Sequence, residues 1–268
     1  MEGVAARPID ARADGARSRS GAWIAAAGGL GICLSAILFA ALYVSSERSI
    51  YTWDWSLYWN KFGLLGHMLR TDLVSALAYI SWSIGNEDYT VLPLVPLMPF
   101  EFLFGAGRLS YILAITTVSL LPSAALTAWI AERTEQRRSW ARFLLCVLAV
   151  LCLHVLWVPA LRGMPDVLGV AIACAILLAW FGKPIEQRSI LQLVGIGLLL
   201  AVLVLTRRWY LFWAVSFFPA AIVAQVLGTP KDGWNWSFLK ALAIAGAACG
   251  LCLLVLAAPL IIRIATTD

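Results

Sequence analysis

Carboxylates and arginines that could do chemistry stand at four places in the chain, each beside aromatic or apolar residues. The four motifs are WDW at 53–55, NEDY at 86–89, RGMPD at 162–166 and RRWY at 207–210. A carboxylate can act as a general base, and the planar guanidinium group of arginine matches phosphate oxygens. These residue types predict proton transfer beside a bound phosphate group, provided that the fold brings the motifs to one place.

Two interpretations of Asp54 stay open at this point. The residue precedes an amphipathic stretch, so it could cap the first turn of a helix. It could instead be a general base held at the membrane boundary, which the second acidic motif at 86–89 favours. Glu87 and Asp88 are the alternative catalytic bases, and Asp166 could position the acceptor or the base.

The arginines and their aromatic neighbours form the candidate substrate-binding set. Its members are Arg162, Arg207, Arg208, Tyr210, Trp55 and Tyr89. Arg207 and Arg208 could bind phosphate, or they could extend toward lipid headgroups; Arg162 is a weaker candidate. No metal site is predicted, since the Cys249-x-x-Cys252 pair lies in an apolar block and indicates packing. A divalent cation near the acidic groups stays an open alternative.

The composition is that of a membrane protein. Hydrophobic residues make up 62% of the 268 residues and charged residues only 13%, too few to cover a soluble domain of this size. The net charge of +5 gives no sign of nucleic-acid binding, because the basic residues cluster in the N-terminal tail and between apolar blocks. Seven spans of about 20 apolar residues are predicted at 21–44, 109–131, 143–160, 167–181, 189–206, 209–227 and 241–262.

We therefore predict an all-α polytopic membrane protein with a cytoplasmic tail (1–20) and a single membrane domain (21–268). The first span is too long for the apolar region of a signal peptide. The stretch 91–104 is apolar but short and carries three prolines, so we expect a re-entrant or juxtamembrane segment. If it does not cross, the arginine-rich loop at 133–142 is cytoplasmic, as the positive-inside rule requires. The four motifs then share the outer side.

The outer loop at 45–90 shows a helical pattern. Its apolar stripe consists of Trp55, Tyr58, Trp59, Phe62, Leu65 and Leu69. Polar residues recur on the opposite side, which predicts an amphipathic helix lying in the membrane interface. A second helix is predicted from Asp72 to about Ser83.

The order of these features resembles the membrane-embedded glycosyltransferases of the GT-C superfamily, which include protein O-mannosyltransferases and aminoarabinose transferases. The matching stretches are YTWDWSLYW at 51–59, NEDYTVLPLVPLMPF at 86–100, FGAGRLS at 104–110 and RGMPD at 162–166. The resemblance covers most of the chain, as an order of features more than a strict signature. In the family, an acidic residue in the first outer loop is catalytic and a second aspartate follows the third span; Asp54 and Asp166 occupy those places.

The resemblance implies an inverting glycosyltransferase that takes its sugar from a polyprenyl-phosphate donor. Its expected setting is the periplasmic face of a bacterial inner membrane, with the endoplasmic reticulum as the alternative. Two departures stand out: Trp55 follows Asp54 where some members have a second acid, and the chain ends soon after the seventh predicted span, as in a short or truncated member. The sugar and the acceptor are open. So are two other function classes, a lipid or solute transporter or flippase and a non-catalytic assembly partner.

Overall fold

The computed structural model describes residues 11–47, 54–133, 139–228 and 236–259, together with 262 and 266. The side chains of residues 11–22, 54, 55 and 186 lie outside that description. The helices are α1 (Ala11–Ser46), α2 (Asp54–Thr71), α3 (Leu73–Asn86), α4 (Met98–Phe104), α5 (Arg108–Ile115), α6 (Leu121–Arg133), α7 (Trp140–Leu151), α8 (His154–Arg162), α9 (Val167–Phe181), α10 (Ile190–Thr206), α11 (Tyr210–Gly228) and α12 (Trp236–Leu256). Short 3-10 helices cover Leu92–Leu97 and Ile185–Gln187, and the π-helical segment Thr116–Leu120 joins α5 to α6.

The prediction of an all-α polytopic membrane protein is confirmed. Among the described residues, four helices are long and apolar enough to cross a membrane: Trp23–Ser46, Arg108–Arg133, Tyr210–Leu227 and Trp236–Leu256. The α7–α8 pair makes a fifth if its two bent halves are one span. Large apolar side chains lie exposed on these helices, as at Trp23 (77% exposed) and Leu227 (82% exposed), where lipid would cover them.

The predicted number of spans is supported only in part. The fourth and fifth predicted spans form helices, but α9 has 15 residues and α10 has 17, fewer than the roughly 20 residues that a crossing needs. The third predicted span is broken between Leu151 and His154, where α7 and α8 meet at 59°. The structure thus supports four to five spans by length and composition, and the count of seven stays a prediction.

The second half of the chain packs around α10. The core there is built from α9, α10, α11 and α12 and includes Ile176, Leu200, Leu203 and Phe238. The α10–α12 pair is especially close at Gly197: a Cβ added there would lie 2.3 Å from the Ala245 carbonyl oxygen and 2.8 Å from Cβ of Ala248. Glycine is therefore required for this helix contact, as is common where membrane helices approach closely.

We expect Gly197→Ala to lower the melting temperature of the purified protein in detergent. The added methyl group must push α10 away from a backbone oxygen, and overpacking of this kind costs about 1–3 kcal/mol. Gly195 provides the matched control, because nothing lies within 4 Å of its Cβ position. Gly195→Ala should be neutral or stabilise by about 0.5–1 kcal/mol through helix propensity. Equal melting temperatures for the two variants would contradict the close packing.

The apolar stripe of α2 faces protein. Tyr58, Phe62 and Leu65 are fully buried in the core shared by α1, α2 and α5 to α8, while Asn60 and His67 on the other side are exposed. The predicted amphipathic helix is present, but its apolar stripe packs against the rest of the chain. The periodicity of apolar residues could not distinguish burial in the membrane interface from burial against the rest of the protein, because both favour the same apolar side chains.

The proline-rich segment is helical. Leu92–Leu97 forms a 3-10 helix and continues into α4, with prolines in the first turn of each piece and Pro96 inside the first. First-turn prolines are tolerated because the amide groups there have no intrahelical acceptor. Glu101, which is 2% exposed, forms an ion pair with Arg70. That pairing offsets the cost of an acid in an apolar segment.

The bundle has two ends with different chemistry. The first, here called the Asp166 end, holds Glu47, Arg108, Asp166 and Arg207, because α1 ends there, α9 begins there and α10 ends there. The second, here called the Arg188 end, holds Arg133 and Arg188 beside the loop between α9 and α10. The predicted outer motifs and the predicted cytoplasmic arginines thus lie at different ends.

Candidate functional site

An ion pair between Asp166 and Arg207 lies at the centre of the Asp166 end. Oδ2 of Asp166 is 3.4 Å from Nη1 of Arg207, and the two side chains are 24% and 14% exposed. The Arg207 guanidinium also lies over the Tyr89 ring, 4.5 Å from its centroid. Burial lowers the pKa of Arg207, but the charges of Asp166 and the nearby tyrosines more than reverse this, so the net pKa is raised and the group stays cationic.

Tyr58 lies beneath this pair. Its side chain is fully buried, and its ring meets Tyr89 edge-on at 5.9 Å. Burial, followed by the negative charge of Asp166, raises the pKa of Tyr58, so the hydroxyl stays protonated at neutral pH. That hydroxyl lies beside the Arg207 guanidinium, whose positive charge partly opposes the rise in pKa. The buried hydroxyl and the guanidinium together form a place where an anionic oxygen of a ligand would fit.

Two further tyrosines fix the loop that carries Asp166. The Tyr210 hydroxyl donates to the Asp166 carbonyl oxygen at 2.8 Å, and the Tyr111 hydroxyl donates to the Gly163 carbonyl oxygen at 2.7 Å. Gly163 has φ +89°, a conformation that favours glycine. At Gly169 an added Cβ would lie 2.1 Å from the Tyr210 ring. The small residue there lets Tyr210 reach the loop.

The acidic motif at 86–89 is held by cations. The Glu87 carboxylate accepts from Ser83 and lies 2.9 Å from Nζ of Lys61, which also donates to the Tyr89 carbonyl oxygen at 2.7 Å. Asp88 forms an ion pair with Arg208, and Arg208 also donates to the Glu87 carbonyl oxygen at 2.5 Å. These contacts tie the α2–α3 hairpin to the α10–α11 turn and place Tyr89 against Arg207.

The predicted site residues divide into three groups. Arg207 contacts both Asp166 and Tyr89, and Tyr210 contacts Asp166. Glu87, Asp88 and Arg208 take part in the adjoining ion pairs. Arg162 ends α8 with an exposed side chain, close enough to Tyr43 to interact with it electrostatically. The side chains of Asp54 and Trp55 lie outside the described residues. Asp54 is the first residue of α2, one helical turn before the buried Tyr58.

Two residues of the site carry no signal in the individual motifs. Tyr58 belongs to the apolar stripe of α2, and Lys61 follows it by three positions. Residues three apart share a helix face, so Lys61 lies on the same side of the amphipathic helix as Tyr58. A lysine on the apolar side of a helix indicates a nearby acidic partner, and this signal could have identified Lys61 from the sequence. Arg108 donates to the Leu161 carbonyl oxygen at 2.8 Å and lies 3.5 Å from Glu47.

An apolar groove of about 860 Å³ lies between α1 and the broken α7–α8 pair. It is lined by Ile32, Phe39, Leu148, Leu151 and Trp157, together with small residues of α1. The break exposes helix-end carbonyl groups, one of which, on Leu151, accepts from the Trp157 indole. The groove extends along α1 to Tyr43, which interacts with Glu47, Arg162 and Arg108. It therefore runs along the bundle toward the charged end.

No family model, curated protein or solved structure matches this chain. The geometry of the site therefore has to be interpreted from its own chemistry. Within the described ranges, no three histidine, cysteine, aspartate or glutamate side chains lie close enough together to hold a metal ion. The groups that do meet are a half-buried carboxylate, a stacked guanidinium and two buried or half-buried phenols. Such a set can orient a hydroxyl-bearing acceptor and stabilise an anionic oxygen.

Proposed function

We propose that this protein is an inverting membrane glycosyltransferase that takes a sugar from a polyprenyl-phosphate donor. The main support for the proposal is that four side chains lie together at one end of the bundle: Asp166, Arg207, Tyr58 and Tyr89. Tyr58 belongs to α2, the helix that begins at Asp54. Four chain segments thus bring together a carboxylate, a guanidinium and two phenols, and transfer from a lipid phosphate requires groups of the first two kinds. We place the reaction on the outer face of a bacterial inner membrane, with the N-terminus in the cytoplasm.

The reaction proposed is a single displacement. Asp54 accepts the proton of the acceptor hydroxyl while the acceptor oxygen attacks the anomeric carbon. The bond from that carbon to the phosphate oxygen breaks on the opposite side, which inverts the configuration of the sugar. Arg207 stabilises the departing phosphate, and Asp166 holds Arg207 and the acceptor in place.

The apolar groove supports this proposal from a second direction. A polyprenyl chain needs an apolar channel that ends near the phosphate-binding cations. The groove between α1 and α7–α8 has that character, because it runs along Phe39 and Trp157 to Tyr43. The Arg162 guanidinium lies near Tyr43, so Arg162 would supply a further cation for the lipid phosphate at that end of the groove, in addition to Arg207.

The ion pairs of the site also bear on how a donor binds. Arg208 is paired with Asp88, whose side chain is 66% exposed. Such an exposed pair contributes only about 0–1 kcal/mol, so a phosphate can replace Asp88 at little cost. Arg207 is held more firmly, since both partners in its pair are largely buried. We therefore assign Arg207 as the fixed cation and Arg208 as the exchangeable one.

The proposal is tested with the purified protein in lipid nanodiscs and a panel of undecaprenyl-phosphate sugars that covers mannose, glucose, arabinose and aminoarabinose. Membranes from the expression host supply acceptors. We expect one donor to raise the melting temperature and to release undecaprenyl phosphate in the presence of acceptor. A correctly folded protein that neither binds nor consumes any member of the panel would overturn the proposal.

The alternative of a lipid transporter draws support from one observation, the 59° break between α7 and α8 beside the large groove. Discontinuous helices often line transport sites. Transport sites near the membrane midplane usually contain charged groups, whereas the ion pairs described above lie at helix ends. Movement of a fluorescent polyprenyl phosphate across proteoliposomes without sugar transfer would favour the transporter.

A further inference from the structure

The Arg188 end carries a groove that the transferase proposal does not use. It lies along α9 and α10, has a volume of about 580 Å³ and opens beside the loop that joins these helices. Its lining combines apolar side chains with cations: Leu178, Ile196, Leu199, Arg133, Lys183 and Arg188. Apolar walls with three positive charges at the mouth of a membrane helix bundle suit a ligand with both a hydrocarbon chain and an anionic head.

Arg188 is the fixed cation of this groove. Its guanidinium donates to the carbonyl oxygens of Ala179, Trp180 and Lys183, so it caps the carboxyl end of α9. Its Nε is buried and has no hydrogen-bond partner among the described residues. Burial also lowers the pKa of Arg188, which means that its positive charge is incompletely solvated and would gain from a nearby anion.

Arg133 reaches the same place from the end of α6. Its guanidinium lies over Trp129, 5.9 Å from the ring centroid, and its Nη1 is 3.1 Å from the Cβ position of Gly182. Lys183, the next residue, is exposed. Among the side chains that the structure describes, no carboxylate forms an ion pair with any of these three cations; the side chain of Glu186, in the same loop, is outside the description.

We propose that this groove binds an anionic phospholipid of the adjacent leaflet, with the phosphate between Arg133, Lys183 and Arg188 and an acyl chain along Leu178, Ile196 and Leu199. The charge is complementary, and the apolar lining matches a hydrocarbon chain in a way that a free phosphate ion cannot. The site lies at the other end of the bundle from Asp166. It is independent of the transferase proposal, which neither supports it nor depends on it.

The test uses the full chain purified in a neutral detergent and compares phosphatidylglycerol, phosphatidylcholine and inorganic phosphate as additives. We expect phosphatidylglycerol to raise the melting temperature in a saturable way, while the other two leave it unchanged. Each cation near a membrane surface strengthens the binding of an anionic lipid. The double variant Arg133→Gln, Lys183→Gln lacks two of the three cations. It should therefore need on the order of tenfold more phosphatidylglycerol to reach half of the maximal rise in melting temperature. Arg188 is left intact because it anchors backbone carbonyls.

Lys240 supplies the matched control. It is exposed on the first turns of α12, which packs against the Ile185–Gln187 helix at the same end, and it does not line the groove. Lys240→Gln should bind phosphatidylglycerol like the unaltered protein. The proposal is overturned if phosphatidylcholine or inorganic phosphate gives the same shift, or if the double variant responds to phosphatidylglycerol no differently from Lys240→Gln.

Discussion

Replacement of Asp54 by asparagine is expected to abolish sugar transfer while leaving membrane insertion and thermal stability unchanged. Asparagine keeps the size of the side chain and its capacity to cap a helix, but it cannot accept the acceptor's proton. A general base contributes roughly 10²–10⁴-fold to a rate, so transfer should fall by at least about 100-fold. The measurement is the initial rate of undecaprenyl phosphate release with the donor that binds, together with the melting temperature.

Asp72→Asn is the control for this prediction. Asp72 lies in the same segment between α1 and α4, and its carboxylate caps α3 by accepting from the Ser75 amide at 3.1 Å. Asparagine can make the same cap, and nothing places Asp72 at the site, so transfer should be retained. If Asp54→Asn transfers at the normal rate, Asp54 is not the base. A loss in Asp166→Asn alone would then move that role to Asp166.

Replacement of Arg207 by glutamine is expected to have the second largest effect, on both activity and stability. Asp166 would lose the cation 3.4 Å from its carboxylate, and Tyr89 would lose the guanidinium over its ring. Tyr58 would lose a positive charge that opposes the rise in its pKa. Loss of one fixed donor to a developing oxyanion costs about 10²–10³-fold in rate. Loss of the ion pair from the half-buried Asp166 carboxylate costs about 1–3 kcal/mol. Transfer rate and melting temperature should therefore both fall.

Two companion variants separate the roles of the arginines. Arg207→Lys should recover much of the stability but little of the rate, because an ammonium group cannot stack on Tyr89 as a planar guanidinium does. Arg208→Gln removes an ion pair with the exposed Asp88 and a hydrogen bond to the Glu87 carbonyl oxygen, so it should lower the melting temperature less than Arg207→Gln does. If Arg207→Gln keeps normal transfer, or if Arg208→Gln has the greater effect on transfer, then Arg207 is not the fixed phosphate-binding cation.

The helices of this protein follow closely from the sequence. The predicted span at 109–131 lies within the continuous helix Arg108–Arg133, and the helix predicted from Asp72 to about Ser83 is α3 with Asp72 as its cap. Apolar runs in a membrane must satisfy their amide groups internally, so composition and length suffice to predict helices. The break between α7 and α8 was not predicted, because the predicted span 143–160 is apolar on both sides of the break, with His154 as its one strongly polar residue.

The sequence allowed the residues of the site to be predicted only in part. The charged motifs at helix ends could be found, and a topology that satisfies the positive-inside rule placed them on one side. Their pairing could not be derived. Arg208 pairs with Asp88, which lies 120 residues earlier in the sequence. The Tyr210 hydroxyl donates to the carbonyl oxygen of Asp166, which lies 44 residues earlier. Such contacts depend on how helices pack, for which hydropathy carries no information.

The sequence by itself determined that the chain is a helical membrane protein and that its carboxylates and arginines lie where apolar helices end. Both properties arise from local free energies, because each segment must place apolar side chains in lipid and charges at its boundary. The tertiary structure alone decided that α2 turns its tyrosine-bearing face inward, so that Tyr58 and Lys61 join Asp166, Arg207 and Glu87. That choice depends on shape and charge complementarity between distant helices, which no single segment specifies.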